Sequence, residues 1–255
     1  IGSFFYLYLK KNRKQIIKKT NVIPNVVYIS AKKRFKKRKF VIPKSKWLKN
    51  YLHAAKSKDV DIIVELIGGS EGPAKKIVFA ALKNNKHVIT ANKALIAKHG
   101  DKLAKIAEKN KVNLEYEAAV CGGVPIIRSI KEGLIANKIH KIYGIFNGTS
   151  NYILSSMDKN LISFDDALKK AQKLGYAEAN PASDLNGDDV ASKLKILSSL
   201  CFNSYINKTI HVEGINRIDK IDMINANKLG YKIKLLGVAR LKNKKINQRV
   251  HPSLI

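Results

Sequence analysis

"DIIVELIGGSEGPAKKIVFAALKNNKHVIT", residues 61–90, decides the fold. The run "DIIVELIGG" (61–69) is apolar almost throughout and ends in two glycines, which fits a strand buried on both faces of a parallel sheet. "EGPAKKIVFAALKNN" then sets Pro73 near a first helical turn, where its missing N–H costs nothing, and repeats apolar residues at helical spacing. "HVIT" (87–90) reads as the next strand. A helix in "KALIAKHGDKLAKIAEKN" and a strand in "VNLEYEAAV" (112–120) continue the alternation, and all connections are short. Such alternation predicts an α/β fold built on an open, doubly wound parallel sheet. Ligands of such sheets sit at the carboxyl ends of the strands, where Gly68, Gly69, Asn92, Lys93 and the 121–125 turn fall.

Upstream, "SFFYLYLKKNRKQIIKK" reads as one helix and "NVVYIS" (25–30) as a short strand. A Rossmann domain opens with a strand, G-x-G-x-x-G and a helix. This chain opens "IGS" and enters a helix at once, so Gly2 reads as the last glycine of a fingerprint whose earlier part precedes the sequence given. The residue that selects the cofactor then lies 20 to 30 positions on. Ser30, Lys32, Lys33 and Arg34 stand there, with no acid before Asp59. Cations suit a 2′-phosphate and a carboxylate suits free ribose hydroxyls, so the expectation is NADP(H) in preference to NAD(H).

Downstream of Pro125 the pattern changes to a helix (126–135), a strand (138–147), helices to about 202 and a strand-like run at 211–215. The expected organisation is a nucleotide-binding domain over 1–124 and a second, α+β substrate and dimerisation domain over 125–255.

The chain's 255 residues, 45% hydrophobic and 27% charged, are globular in composition. Two cysteines cannot make a disulfide framework and fit a reducing cytoplasm, and no apolar run is long enough to span a bilayer. The formal net charge is +30, and residues 1–58 hold 18 Lys or Arg without one Asp or Glu. That raises a basic nucleic-acid-binding module as an alternative, although its aromatic partners are few, Phe35, Phe40 and Trp47. The excess is mostly lysine in company with Asn and Ile, which reads as solvated surface rather than a specific reader of nucleic acid.

Three motifs bear on chemistry: "TANKALIAKHG" (90–100), "NGTSNYIL" (147–154) and "GYAEANPASDLNGDDVASKL" (175–194). In this order and spacing they resemble homoserine dehydrogenase, and the likeness runs from about residue 60 to "RVHPSLI". The resemblance implies interconversion of L-aspartate 4-semialdehyde and L-homoserine with NAD(P)H, within threonine, methionine and isoleucine biosynthesis, by a homodimer. It implies further that Lys93 lies beside nicotinamide and substrate, and that Lys193 transfers the proton with Asp189 one helical turn before it. Tyr176, Glu178, Asp184, Asn147, Gly148 and Thr149 would line the substrate pocket. The side chain of Glu117 and the carbonyls of Val120, Gly122 and Val124 would hold a monovalent cation, typically sodium. These residue types suit the reaction, because hydride transfer to an aldehyde leaves an alkoxide that needs a cation and a proton donor, and a lysine supplies both. Whether Lys193 or Lys93 does so stays open on the sequence.

A second enzyme class is a cysteine-dependent aldehyde dehydrogenase built on Cys121, which precedes a helix. It would need an activated thiolate and a nearby base. An exposed Asp189–Lys193 pair would be worth only about 0.3–0.5 kcal/mol as a surface ion pair. Burial therefore separates a surface pair from a working one.

Overall fold

The computed structural model describes residues 1–33, 38, 40–202, 210–243 and 245–255. Arg34 and Phe35 lie outside the described residues. The chain divides into two compact units, Ile1–Tyr116 and Glu117–Ile255.

The first unit holds helices α1 (Gly2–Lys11), α2 (Arg13–Thr20) and α3 (Leu52–Lys56), then β1 (Ile62–Glu65), α4 (Pro73–Lys83), β2 (His87–Thr90), α5 (Lys93–Lys109) and β3 (Leu114–Glu115). Its strands form a parallel sheet in the order β1-β2-β3, with Glu65 opposite Thr90 and Val88 opposite Leu114. Helix α4 starts with Pro73 in its first turn and buries Ala74, Ile77, Val78, Ala81 and Leu82, a single apolar stripe at helical spacing. Helix α5 buries Leu95, Ile96, Leu103 and Ala107.

Two expectations for this unit need correction. The helix expected across 3–19 is broken at Asn12, whose Nδ2 donates to the Tyr8 carbonyl at 2.9 Å and competes with the helical ladder. The strand expected at 25–30 is reduced to a single parallel bridge, Ile29 to Trp47. Ile29 takes two backbone bonds there, to Lys46 and Leu48. β-propensity without a paired ladder does not make a strand.

In the second unit, α6 (Ile126–Arg128) continues as a π-turn over Ser129–Gly133, followed by β4 (Lys141–Gly144), α7 (Gly148–Asn160), α8 (Phe164–Lys173), α9 (Ala182–Leu185), α10 (Asp188–Phe202), β5 (His211–Val212), α11 (Lys220–Lys228), β6 (Ile233–Lys242) and β7 (Lys245–Leu254). The four-stranded sheet runs β4-β6-β7-β5, antiparallel except for the parallel β5–β7 pair. One face of β6, Ile233, Leu235 and Ala239, packs into a core with Ile153, Leu154 and Met157 of α7, Val190 and Leu194 of α10, and Met223 of α11. The strand expected over 112–120 stops at Glu115, because residues 117–119 turn in a 3-10 helix and Cys121 and Gly123 take positive φ.

Asp158 ties three elements of this unit together. It accepts hydrogen bonds from Lys232 Nζ (3.0 Å) and Asn227 Nδ2 (2.9 Å), linking α7 to the residue just before β6 and to α11. Burial pushes its carboxyl up, but the bonds from Lys232 and Asn227 and the charges of Lys232 and Lys234 outweigh it and hold the group below the usual carboxylate range. A depressed folded value means stability that is present above the unfolded pKa of about 4 and is lost as pH falls through the folded value. Asp158→Asn should therefore lower the melting midpoint at neutral pH, with the difference from the parent closing in acid. A difference that stays constant down to pH ~2 would show that the charge is not what matters.

Candidate functional site

In the first unit the polar groups gather at the carboxyl ends of β1 and β2. Glu65, 2% exposed, ends β1 and turns its carboxylate back on the following loop. Oε1 accepts the N–H groups of Ile67 (2.6 Å) and Gly68 (3.1 Å), and Oε2 accepts the Thr90 hydroxyl at 2.5 Å. Thr90 Oγ1 in turn accepts the Asn92 N–H at 3.0 Å. The Asn92 side chain then does two things. Oδ1 accepts the Leu95 N–H at 3.1 Å and caps α5, and Nδ2 donates to the Gly69 carbonyl at 2.8 Å. A buried carboxylate and a buried amide thus clamp the Gly68–Gly69 loop to the start of α5. Both glycines are exposed and left-handed, φ 90° and 81°, a shape that keeps side chains away from anything approaching the loop.

Lys93 is the first residue of α5 and part-buried. A cation at a helix N-terminus opposes the helix dipole. Gly2 begins α1, and a Cβ built there would lie 3.9 Å from Leu66 Cδ1, so the start of α1 sits beside the end of β1. Lys32 and Lys33 are exposed, shortly after the Ile29 bridge.

In the second unit, Asp189 lies in the first turn of α10 and is 6% exposed. Its Oδ2 is 2.8 Å from Lys193 Nζ one turn on, and the Lys193 side chain is 17% exposed. That burial removes the pair from the class of surface ion pairs. Lys193 Nζ also donates to the Phe146 carbonyl at 2.6 Å. Asn147, 5% exposed, caps α7 by accepting the Ser150 N–H at 2.8 Å, which orients its amide. The amide Nδ2 then donates to both Asp184 Oδ1 (2.7 Å) and Asp189 Oδ2 (2.9 Å). The result is a connected chain from Asp184 through Asn147 and Asp189 to Lys193. Acidic residues in the first turn of α10 also suit the positive end of its dipole.

Thr149 donates to the Tyr176 carbonyl at 2.7 Å, and the Tyr176 ring stacks on Tyr152 with centroids 4.4 Å apart. Those contacts fix the loop that carries Glu178, whose side chain is exposed, while Gly148 is the exposed first residue of α7. Each oxygen of Glu117 accepts one backbone N–H at 2.9 Å, from Ile127 and from Arg128, so this carboxylate caps α6. Val120 is fully buried, Gly122 and Val124 are exposed, and the Val124 carbonyl accepts the Ile126 N–H at 2.8 Å.

The alternative readings find no support here. Burial pushes the Cys121 thiol up, and the Asp189 charge adds to that while the Lys193 charge offsets part of it, so Cys121 is no ready thiolate. Burial likewise raises Cys201, to about 11. Of the aromatics offered for base stacking, Phe40 is stacked on Tyr6 and Trp47 lies under the Arg38 guanidinium.

Sequence reasoning had missed Glu65 and Thr90 as a pair. The signal was one charged residue inside an otherwise apolar strand. Asn147, expected at the substrate pocket, bonds to two carboxylates, a contact that no local sequence pattern signals.

A parallel βαβ unit with left-handed glycines after its first strand, followed by an α+β unit with a buried carboxylate–lysine pair, is a Rossmann-like nucleotide-binding fold joined to a second unit. The chain belongs to the homoserine dehydrogenase family. Residues 125–255 match the family model for homoserine dehydrogenase, and residues 1–117 match that for the homoserine dehydrogenase NAD-binding domain. Homoserine dehydrogenase of Neisseria gonorrhoeae is 48% identical over 216 residues, 84% of this chain and 49% of that protein. The Bacillus subtilis protein of the same name is 36% identical over 256 residues, 100% of this chain and 59% of the relative. The chain thus spans about half the length of the curated relatives it matches. Among solved structures, a homoserine dehydrogenase from Thiobacillus denitrificans has a TM-score of 0.91 at 42% identity, covering 100% of this chain and 59% of that one. A hyperthermophilic archaeal homoserine dehydrogenase in complex with NADPH gives a TM-score of 0.68 at 25% identity, over 80% of this chain and 59% of that one. No helix among the described residues is long and apolar enough to cross a membrane.

Proposed function

We propose that the full protein interconverts L-aspartate 4-semialdehyde and L-homoserine with NADP(H), in the cytoplasm, as a step of threonine, methionine and isoleucine biosynthesis. The observation that carries this reading is the buried Asp189–Lys193 pair bonded through Asn147 to Asp184. An ammonium has three N–H donors. Two are directed at Asp189 and Phe146, and we assign the third to the substrate oxygen as negative charge develops on it. Lys193 then gives that oxygen a proton in reduction and takes it back in oxidation. Asp189 holds the lysine in place, Asp184 and Glu178 face the substrate ammonium, and the Thr149–Tyr176 bond fixes the loop that carries Glu178.

The nicotinamide, when bound, supplies or accepts the hydride. In the first unit, Gly2, Gly68 and Gly69 offer close backbone approach to the nucleotide, and Lys93 stands at the start of α5 beside them. Lys32, Lys33 and Arg34 are the cations we assign to the 2′-phosphate. For the cation site, the carboxylate of Glu117 and the carbonyls of Val120, Gly122 and Val124 are an all-oxygen donor set, which fits a hard monovalent ion such as sodium. Each Glu117 oxygen spends only one lone pair on its N–H. We also propose a homodimer through the second unit; the family likeness suggests it, and the exposure of Tyr143 in β4 and of Ile145 just after it, 65% and 39%, is in keeping with it.

The test is NADPH oxidation by the full-length protein with L-aspartate 4-semialdehyde, and NADP reduction with L-homoserine. Turnover in both directions is expected, with kcat/KM for NADPH above that for NADH, and a Lys32→Ala/Lys33→Ala variant should narrow that ratio. No turnover in either direction refutes the reading. A ratio untouched by the double variant moves the phosphate contact elsewhere.

A further inference from the structure

Lys193 is held by two acceptors, and one of them is a main-chain carbonyl. What fixes Phe146, the owner of that carbonyl, is therefore part of what fixes the lysine. Gly144 of β4 pairs with Gly237 of β6, so the antiparallel ladder has two adjacent positions without side chains. The Phe146 ring lies over this gap. A Cβ built on Gly144 would meet Cε1 and Cζ of the ring at 3.4 Å, and one built on Gly237 would meet Cδ2 and Cε2 at 2.8 and 2.9 Å. The same Gly237 Cβ would meet Val190 Cγ1 at 3.0 Å, and Val190 is the residue after Asp189. The missing side chain of Gly237 thus leaves room for the residue that owns one acceptor of Lys193 and for the neighbour of the residue that owns the other.

We infer that the Gly144–Gly237 pair is a slot that positions Lys193, and that Gly237 is a positioning residue for proton transfer. The inference rests on the role assigned to Lys193 above and extends it to β6, far from α10 in sequence. Sheet stability alone does not account for two glycines at paired positions. Glycine weakens a strand interior, and it is kept where another group must approach closely. Here the close approach is the Phe146 ring. In an unbroken chain of contacts, the ring sets its own backbone, and its carbonyl receives the ammonium at 2.6 Å. One methyl group at Gly237 has no room without moving Phe146, Val190 or both, and each of those movements loosens an acceptor of the lysine.

The experiment uses the full-length protein, its Gly237→Ala variant and its Phe146→Leu variant, which takes the ring out of the slot without adding a Cβ. Melting curves establish that each is folded. The expected result for Gly237→Ala is a fall in kcat of about tenfold to a hundredfold, as for other small misplacements of a reacting group, with NADPH affinity within about twofold of the parent because the first unit is untouched. An arm independent of turnover is the rate at which a lysine-acylating reagent modifies Lys193, read by peptide mass spectrometry. It should rise in both variants as the ammonium is released. Folded variants with parental kcat and parental Lys193 acylation overturn the inference. If Gly237→Ala does not fold, Phe146→Leu decides by the same criteria. If the parent lacks the assigned activity, the acylation arm still tests the positioning while the reading of the reaction fails separately.

Discussion

Replacing Lys193 by alanine in the full-length protein should lower kcat for aldehyde reduction by about a hundredfold to ten-thousandfold, the range for losing a positioned proton donor. In barrier height that is about 3–5 kcal/mol. Two contributions disappear together, the cation opposite a developing alkoxide and the proton it delivers. The variant also takes from the Asp189 carboxylate, 6% exposed, its lysine counter-charge, while the bond from Asn147 stays. Removing one member of a buried ion pair costs about 3–5 kcal/mol of stability, so assays belong well below the new melting midpoint. Lys193→Arg separates the two effects. Arginine keeps a charge opposite Asp189 but does not give up its proton, so this variant should hold its fold and still be slow, most of all in homoserine oxidation. An alanine variant as fast as the parent would move the chemistry to Lys93.

The parts of this architecture legible from sequence are those set by local pattern. The βαβ unit could be read from its apolar strands and the one clean stripe of α4, Ala74 to Leu82, but burial on both faces did not hold, since Ile62 of β1 and Ile89 of β2 are 50% and 42% exposed. Asp189 and Lys193 could be paired because i, i+4 spacing on a helix brings side chains together wherever the helix lies. The hairpin of β6 and β7 escaped notice although each strand has ten residues. Its alternation was present, with Ile233, Leu235 and Ala239 facing the core. Lysines at 232, 234, 242, 244 and 245 dilute it, in a chain where lysine appears almost everywhere. The paired glycines of β4 and β6 were beyond reach for a different reason. Residues 144 and 237 meet only through strand register, which is a tertiary fact. Asn147 lies between those cases, since its cap on α7 is local and its bond to Asp184 spans 37 positions.

Glu65→Ala should weaken NADPH binding by at least about tenfold, or about 1.4 kcal/mol, and lower the melting midpoint as well. The carboxylate is the shared acceptor for Ile67 N–H, Gly68 N–H and the Thr90 hydroxyl, and at 2% exposure there is little room for water to replace it. The Thr90 hydroxyl, on a residue 1% exposed, is the buried donor among them, and leaving it without an acceptor costs about 1–3 kcal/mol. The Gly68–Gly69 loop would then give up its shape and relax away from the end of β1, and a nucleotide would have to reorder it on binding. Glu65→Gln makes the comparison informative. Its Oε1 can keep both N–H groups of the loop, and its Nε2 can donate to Thr90 Oγ1, which has a lone pair to spare beside the one given to Asn92 N–H. If hydrogen-bond geometry is what matters, glutamine should bind NADPH nearly as the parent does and alanine should not. Glutamine as weak as alanine would put the effect on the negative charge instead. Parental affinity in a folded alanine variant would show that the glycine loop holds its shape without Glu65, and the clamp between β1 and β2 would then have no part in cofactor binding.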